Sequence, residues 1–228
     1  MSAVAFPNMI AIDGPAASGK TTIGRILAAE SSYLLLDTGA MYRVVTLAVL
    51  NRGIDPNDTT AVIEVARTID MQLLPVVDEA DGRDTTVMLD GEDVTWQLRT
   101  QAVDQSVSAV ASVPAVREAM VAQQREIGRN GKVIMIGRDI GTVVLPDAPL
   151  KLYVVASAEA RARRRWEERQ QRGDETSYEA ILAALKERDR IDGSREHSPM
   201  VSAEDAHIID TSNDRPQAIV QAIYALFS

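Results

Sequence analysis

The sequence predicts an α/β fold in which a parallel sheet is flanked by helices, with a small antiparallel β insertion. Three observations predict it. Two apolar runs, residues 9–13 and 33–37, each lead through a glycine-containing turn into apolar residues with helical spacing. Further apolar runs of strand length follow later in the chain. Polar turns break the pattern only between residues 70 and 95, so most strands alternate with helices, which favours a parallel sheet.

The first two strands each precede a helix. MIAID (9–13) stops at a Gly-rich turn, and apolar residues at 23, 26 and 27 then mark one helix face. YLLLD (33–37) stops before Thr38-Gly39, and a second amphipathic stretch follows. Both units have the strand–turn–helix form of a parallel sheet.

The insertion comes next. MQLLPVV and TTVMLDGEDVT, joined by polar residues, predict short antiparallel strands. We assign residues 57–100 to this insertion and residues 1–56 and 101–228 to the core.

The remaining elements return to the core pattern. Helical spacing runs from about residue 101 to 129, with Pro114 where a second helix can begin. Three more runs predict strands, and the C-terminal run predicts a helix: residues 132–136, 150–156, 206–211 and 216–227.

Composition limits the function classes. The 228 residues carry a formal net charge of −9, which disfavours binding to polymeric nucleic acid or anionic lipid. No apolar run approaches the roughly 18 residues needed to cross a bilayer, and MSAVAFPNMIAID lacks the basic region of a secretory signal. With no cysteine, disulfides and thiolate chemistry are excluded. We expect a cytoplasmic monomer without a membrane partner.

Positive charge is concentrated in one part of this acidic chain. Ten of its 24 Lys and Arg residues lie between residues 161 and 195. A local anion site is therefore possible there.

Residues 14–22, GPAASGKTT, match the phosphate-loop pattern G-x-x-x-x-G-K-[ST] between a predicted strand and a predicted helix. Glycines let backbone N–H groups point at phosphate oxygens, Lys20 can reach the β- and γ-phosphates, and Thr21 can offer its hydroxyl to Mg²⁺. The residues assigned to the nucleotide are Gly14, Pro15, Ala16, Ala17, Ser18, Gly19, Lys20, Thr21 and Thr22.

A phosphate loop alone does not separate a GTPase, a motor, a small-molecule kinase and a nucleotide-binding module. No N-K-x-D guanine-reading motif is present, which weighs against a GTPase. Other segments must decide.

Five segments together carry a family resemblance: IDGPAASGKTT, LLDTGAMYR, GEDVTWQLRT, GRDIGTVV followed by PDAP, and RDRIDGSREHSP. In order and spacing the chain resembles the bacterial cytidylate kinases over about residues 8 to 211. The resemblance implies transfer of the γ-phosphoryl group of ATP to CMP or dCMP with Mg²⁺. It also implies a P-loop core, an enlarged segment for the monophosphate, and a mobile lid at about residues 158–178.

The resemblance assigns the acceptor site. It implies that Arg43 and Arg138 bind the acceptor phosphate and that Asp139 binds cytosine. A carboxylate can accept a hydrogen bond from the exocyclic amine of that base. Arg138 and Asp139 also follow a predicted strand, where open α/β sheets bind ligands. Further implied contacts to the base and sugar are Thr38, Ser108, Arg117, Arg188, Asp192 and Arg195. The residues alone leave alternatives open: an ordinary surface arginine at Arg43 and an ion pair that closes a loop at Arg138 and Asp139. They also leave open a solvated salt-bridge ladder for the arginines from 188 to 195 and a helix hydroxyl at Ser108.

RARRRWEERQQRGDE resembles the lid, whose arginines neutralise the transferring phosphoryl group. We assign this role to Arg161, Arg164 and Arg165. The alternative is a solvated helix face on which Arg164 and Arg165 pair with Glu168 or its neighbours.

The chain departs from the family at two positions. Members usually have an acidic residue directly before GRD, where this chain has Ile136. Mg²⁺ would then depend on Thr21, phosphates, water and Asp37. Ala17 replaces a common glycine, which matters only if the position needs a positive φ. The alternatives are therefore a kinase for another small acceptor and a non-catalytic nucleotide-binding protein.

The two histidines, His197 and His207, have no partner set that suggests a metal site or a nucleophilic triad. Trp96 and Trp166 are interpreted as packing residues rather than stacking platforms.

Overall fold

A computed structural model of the protein describes residues 6–74, 81, 83, 85–171, 173–196, 198–213 and 215–227. The chain forms two compact units: Met1–Tyr33 with Lys132–Ser228, and Leu34–Gly131. The insertion predicted at 57–100 falls inside the second unit, and its separate role stays a prediction. Among the described residues, no helix has both the length and the apolar content to cross a membrane.

Eight strands are present in the described part of the chain: β1 (Met9–Asp13), β2 (Leu34–Asp37), β3 (Met71–Leu74), β4 (Thr86–Leu89), β5 (Glu92–Asp93), β6 (Val133–Ile136), β7 (Leu150–Val155) and β8 (His207–Asp210). The main sheet has the strand order β2-β6-β1-β7-β8. A second sheet has the order β3-β4-β5. The predicted parallel sheet and antiparallel insertion are both confirmed.

The α-helices of the same residues are α1 (Lys20–Ser31), α2 (Thr38–Asn51), α3 (Thr59–Thr68), α4 (Gln101–Ser112), α5 (Pro114–Arg129), α6 (Ala158–Gln171), α7 (Tyr178–Gly193) and α8 (Pro216–Tyr224). Pro114 is the first residue of α5, as predicted, because the first turn of a helix does not use its backbone N–H. α8 ends at Tyr224, three residues before the predicted end.

β1 is the central strand of the first unit. It pairs in parallel with β6 on one side and β7 on the other, and Ile12 lies opposite both Ile136 and Leu152. These three residues are at most 1% exposed. Because both faces and both edges of β1 are covered, its run is continuously apolar until Asp13.

The second unit has its own core. Apolar residues of α2 and α3 pack there with residues of α4, α5 and the small sheet. The β4–β5 turn has positive φ at Asp90 (50°) and Gly91 (85°), as a tight hairpin requires. The packing role predicted for Trp96 is wrong: its residue surface is 48% exposed, and its indole N–H donates to Asp81.

An aromatic cluster brings distant parts of the first unit together. Phe6 contacts Tyr33, Tyr224 and Phe227, with ring centroids 5.9, 5.7 and 5.5 Å away. Edge-on and tilted aromatic pairs of this kind are favourable. The cluster fastens α8 beside the segment that leads into β1.

Candidate active site

The phosphate loop, residues 14–22, turns sharply between β1 and α1. Gly14 has φ of 137°, and a Cβ there would lie 2.0 Å from the Val154 carbonyl oxygen. Gly19 has φ of 91° and precedes the first residue of α1. The glycines therefore allow both the left-handed backbone and the close approach to β7.

Ala17 also needs a positive φ, which it adopts at 59°. The glycine usual in the family would take this conformation without the steric cost of a Cβ. The departure at this position is thus compatible with the same loop shape, at a cost in local strain.

Lys20 lies in the first turn of α1 and is 6% exposed. Its ammonium donates to the Pro15 carbonyl at 2.5 Å and to the Ser18 hydroxyl at 3.4 Å. The positive charge of Lys20 therefore lies against the backbone and side chains of the phosphate loop. Thr21 follows in the same turn and is partly buried.

Arg161 of α6 is hydrogen-bonded to the backbone of the phosphate loop. Its guanidinium donates to the Ala16 carbonyl at 3.2 Å and makes two bonds to the Asp189 carboxylate, at 3.2 and 2.6 Å. Arg161 is 4% exposed. The residue assigned to the lid from sequence therefore also fixes loop backbone.

Arg164 reaches the same loop through another residue. It donates to the hydroxyl and the carbonyl of Thr211, and that hydroxyl donates to the Ser18 carbonyl at 2.8 Å. The predicted Arg165–Glu168 pair is present at 3.2 Å. The alternative of a solvated helix face predicts that Arg164 pairs with an acidic neighbour on the same helix. Arg164 instead donates to Thr211, which lies outside that helix.

Three arginines surround one buried carboxylate. Asp192, 2% exposed, pairs with Arg138 at 3.0 Å and Arg195 at 2.6 Å, and Arg188 lies 3.9 Å away. Three guanidinium groups close to one carboxylate concentrate positive charge there, which favours an anion nearby. The spacing of Arg188, Asp192 and Arg195 by four and three residues predicts that they share one face of a helix. α7 ends at Gly193, so this prediction is wrong for Arg195, which lies beyond the helix.

The GRD loop, residues 137–145, follows β6. Asp139 is 5% exposed and precedes a short π-helical turn, Ile140–Val144. Ile136, the departure from the family, is 1% exposed at the end of β6. Its position is apolar and enclosed.

Asp13, at the end of β1, is a residue that the sequence reasoning missed. Its two carboxylate oxygens accept from the N–H groups of Ile140 and Gly141 at 2.8 and 2.7 Å. Burial raises the pKa of Asp13 to about 6, although these two bonds lower it. A carboxylate that ends a continuously apolar strand was the signal that could have identified it.

The second unit holds the other predicted residues. Asp37 accepts from the Gly39 N–H at 3.0 Å and starts α2, whose first residue, Thr38, is 4% exposed. Arg43 donates to the Leu98 carbonyl at 2.9 Å and pairs with Asp104 at 2.7 Å.

The last two predicted residues of this unit lie on α4 and α5. Ser108 is partly buried on α4. Arg117 of α5 is 5% exposed and lies 5.3 Å from the centre of the Tyr42 ring, a cation–π contact.

Comparison with known proteins decides the family. The family model for cytidylate kinase matches residues 10–228. The chain belongs to the cytidylate kinase family.

Relatives that carry the same description align over nearly their whole length. A cytidylate kinase of Limosilactobacillus reuteri (strain DSM 20016) is 50% identical over 215 residues, covering 94% of this chain and 92% of the relative. One from Pelotomaculum thermopropionicum is 47% identical over 223 residues, covering 98% and 96%. The resemblance based on five motifs is therefore confirmed.

Among solved structures, an uncharacterized protein from Eubacterium ventriosum ATCC 27560 superposes with a TM-score of 0.51 at 12% identity, over 96% of this chain and 97% of that one. At that identity the similarity concerns the fold alone.

Two expectations for this cytidylate kinase family member lie outside the described residues. They are His197 and the part of the predicted lid at Arg172. His207 is exposed on β8. Trp166 packs against a small cluster of α6 and α7, and the packing role predicted for it is present.

Proposed function

We propose that this chain transfers the γ-phosphoryl group of ATP to CMP or dCMP, giving ADP and CDP or dCDP. The observation that carries the proposal is that one unit holds both a phosphate loop with left-handed glycines and a cluster of three arginines around Asp192. The first suits a nucleoside triphosphate, and the second suits a second anion. Membership of the cytidylate kinase family supports cytosine as the base.

The donor side follows from the loop. Its N–H groups and the N-terminus of α1 bind the phosphates of ATP, because both carry partial positive charge. Lys20, which donates to Pro15 and Ser18, instead contacts the β- and γ-phosphates when the nucleotide binds.

On the acceptor side, Arg43 and Arg138 bind the monophosphate. Asp139 accepts a hydrogen bond from the exocyclic amine of cytosine, which uracil lacks. The remaining proposed contacts to base and sugar are Thr38, Ser108, Arg117, Arg188, Asp192 and Arg195.

The chemical step is a direct displacement. An oxygen of the acceptor phosphate forms a bond to the γ-phosphorus while the bond from that phosphorus to the β–γ bridging oxygen breaks, and ADP leaves. Arg161, Arg164 and Arg165 of the proposed lid stabilise the charge that spreads over the phosphoryl oxygens. Closure of the lid excludes water and so limits hydrolysis of ATP.

We also assign Mg²⁺ to the Thr21 hydroxyl and the Asp37 carboxylate, together with the phosphates. Hydroxyl and carboxylate oxygens are the donors that Mg²⁺ prefers. When bound, Mg²⁺ neutralises charge on the β- and γ-phosphates.

The test is a coupled assay of ADP release with CMP, dCMP, UMP and AMP as acceptors. CMP and dCMP are expected to react, and Asp139→Ala is expected to impair CMP use much more than ATP binding. Asp147→Ala, an exposed aspartate eight residues away on the following segment, is the matched control. Transfer to UMP or AMP with none to CMP would refute the proposal.

Compartment and assembly are part of the same proposal. We place the protein in the cytoplasm as a monomer, acting on small molecules. Sedimentation of the purified chain with and without both nucleotides measures the assembly state, and a dimeric mass would contradict this part.

A further inference from the structure

Asp13 connects the two halves of the proposed reaction site within the first unit. It is the residue directly before Gly14, so it leads into the phosphate loop. Its carboxylate accepts from two consecutive backbone N–H groups, Ile140 and Gly141, which directly follow Arg138 and Asp139. One buried side chain is thus bonded to the backbone beside both proposed acceptor-binding residues.

The two N–H groups need a partner from elsewhere. They belong to the first residues of the π-helical turn Ile140–Val144, and the first N–H groups of a helical turn have no bond within it. Asp139 occupies the capping position but makes no cap hydrogen bond with its side chain. The Asp13 carboxylate, at the end of the neighbouring strand β1, accepts the hydrogen bonds that a capping side chain would accept. The Asp139 carboxylate is therefore not used for capping.

The packing leaves little room for the loop to shift. Gly141 is buried, and a Cβ there would lie 3.2 Å from Cδ of Lys151 and 3.4 Å from Oδ2 of Asp13. Lys151 is itself 8% exposed and paired with Asp205. A change in the Asp13 carboxylate is therefore transmitted to the loop and not absorbed by free space.

We propose that Asp13 is a positioning residue for the acceptor: by binding the N–H groups of Ile140 and Gly141, it sets where Arg138 and Asp139 stand relative to the phosphate loop. This rests on the proposed function, because it is the acceptor monophosphate that those two residues bind. Asp13 touches neither nucleotide in this scheme and acts through the loop.

The protonation state of Asp13 should then control acceptor binding. The charged groups that act on it are Asp139, which raises its pKa, and Lys20, which lowers it. Asp13 in turn raises the pKa of Tyr153, and Cδ of Lys151 lies on the other side of Gly141. An ionised carboxylate accepts both bonds, whereas a neutral carboxyl carries an O–H and keeps one acceptor position fewer. With burial raising its pKa to about 6, Asp13 is ionised above that pH.

The main variant is Asp13→Asn, which keeps the size but removes the charge and one acceptor. At pH 8 we expect the KM for CMP to rise about tenfold, as loss of a charge-assisted bond predicts, while the KM for ATP changes by less than about twofold. The decisive readout is the ratio of variant to wild-type kcat/KM for CMP as a function of pH. It should rise toward one below pH 6, because the wild-type residue is then neutral as well.

A merely structural role gives a ratio that is the same at every pH, and that result would overturn the inference. Titration of the CMP phosphate affects both proteins equally and cancels in the ratio. Asp58→Asn is the matched control, since Asp58 caps α3 through the Ala61 N–H but is exposed. The ratio of kcat/KM for CMP between Asp58→Asn and the wild type should stay near one at all pH values.

Should Asp13→Asn fail to fold, Gly141→Ala serves instead, because its Cβ would lie 3.2 Å from Cδ of Lys151 and 3.4 Å from Oδ2 of Asp13 and so crowds the bond between the Gly141 N–H and Asp13. It is expected to raise the KM for CMP by a smaller factor and leave that for ATP unchanged. A wild-type chain that phosphorylates no monophosphate would refute the proposed function alone. Calorimetric titration with CMP would then decide the inference, and equal affinities in the wild type and Asp13→Asn would refute it.

Discussion

Gly14 is the position in the phosphate loop where an added methyl group meets the closest obstacle. Gly14→Ala places a Cβ 2.0 Å from the Val154 carbonyl oxygen in a left-handed backbone. The strand or the loop must move, so we expect ATP binding to be lost and the unfolding temperature to fall. Calorimetric titration with ATP and thermal unfolding measure the two effects.

The control for Gly14 is Gly53→Ala. Gly53 has φ of 66°, but a Cβ there meets nothing within 4 Å. Only the left-handed penalty of about 1–2 kcal/mol remains, and nucleotide binding is expected to be unchanged. Equal losses at both positions would show that steric overlap with β7 is not the cause.

Ala17→Gly should relieve strain in the same loop. The left-handed conformation at 59° costs an alanine about 1–2 kcal/mol, and the greater freedom of glycine in the unfolded chain offsets about 0.4–1 kcal/mol of the gain. We expect a net stabilisation of up to about 1.6 kcal/mol with ATP affinity retained. Urea unfolding measures it.

Ala16→Gly is the comparison, because Ala16 is not among the residues with positive φ. It should destabilise the protein. Stabilisation by both changes, or by neither, would contradict the strain argument.

At the scale of elements, the contact between α6 and α7 fixes the phosphate loop through Arg161. Asp189→Ala removes the carboxylate that pairs with Arg161, whose side chain is 5% exposed. Because Asp189 itself is 25% exposed, we expect a loss of about 1–3 kcal/mol in stability, less than for a fully buried pair. The KM for ATP should rise as well, since Arg161 also bonds to Ala16.

Glu187→Ala is the matched control on the same helix. Glu187 pairs with Arg190 at the same 2.6 Å, but the two side chains are 55% and 67% exposed. Such a solvent-exposed pair contributes little to stability, and the KM for ATP should not change. A rise in that KM for both variants would indicate a general effect on α7 instead of a brace on the loop.

The elements were largely predictable because their signals are local. The apolar run at 9–13, the glycine turn and the helix after Gly19 all follow from periodicity and turn residues, and β1 and α1 occur there. Pro114 at the start of α5 is another local signal. Trp96 was mispredicted, since an aromatic residue packs only if the fold covers it.

The site was predictable in its residues but not in its contacts. Spacing cannot show that Arg164 bonds to Thr211, which lies 47 positions along the chain. For the same reason Asp13 was missed, because its partners Ile140 and Gly141 are 127 and 128 positions away. Roles carried by distant pairs require the fold before they can be assigned.

At the scale of the whole molecule, Asp13 should make stability depend on pH. Its pKa rises from 3.8 in the unfolded chain to about 6 in the folded one. Between these values the folded protein binds the Asp13 proton more tightly than the unfolded chain does. The contribution of Asp13 to the free energy of unfolding therefore falls by about 3 kcal/mol as pH rises from about 4 to 6, and does not change further above that pH.

The measurement is urea unfolding of the wild type and Asp13→Asn at several pH values. Other carboxylates contribute to both proteins, among them Asp93, whose pKa its bonds to Thr95 and Arg83 lower to about 2. The difference between the proteins isolates Asp13. A difference that does not vary between pH 4 and 7 would contradict the assignment.

The strand order also affects the chain as it is synthesised. β1 is synthesised before its hydrogen-bonding neighbours β6 and β7, which begin at residues 133 and 150. About 120 residues that separate the end of β1 from the start of β6 must therefore be synthesised before β1 can pair along either edge. Until then β1 is an apolar segment with two unpaired edges, a condition that favours aggregation of the nascent chain.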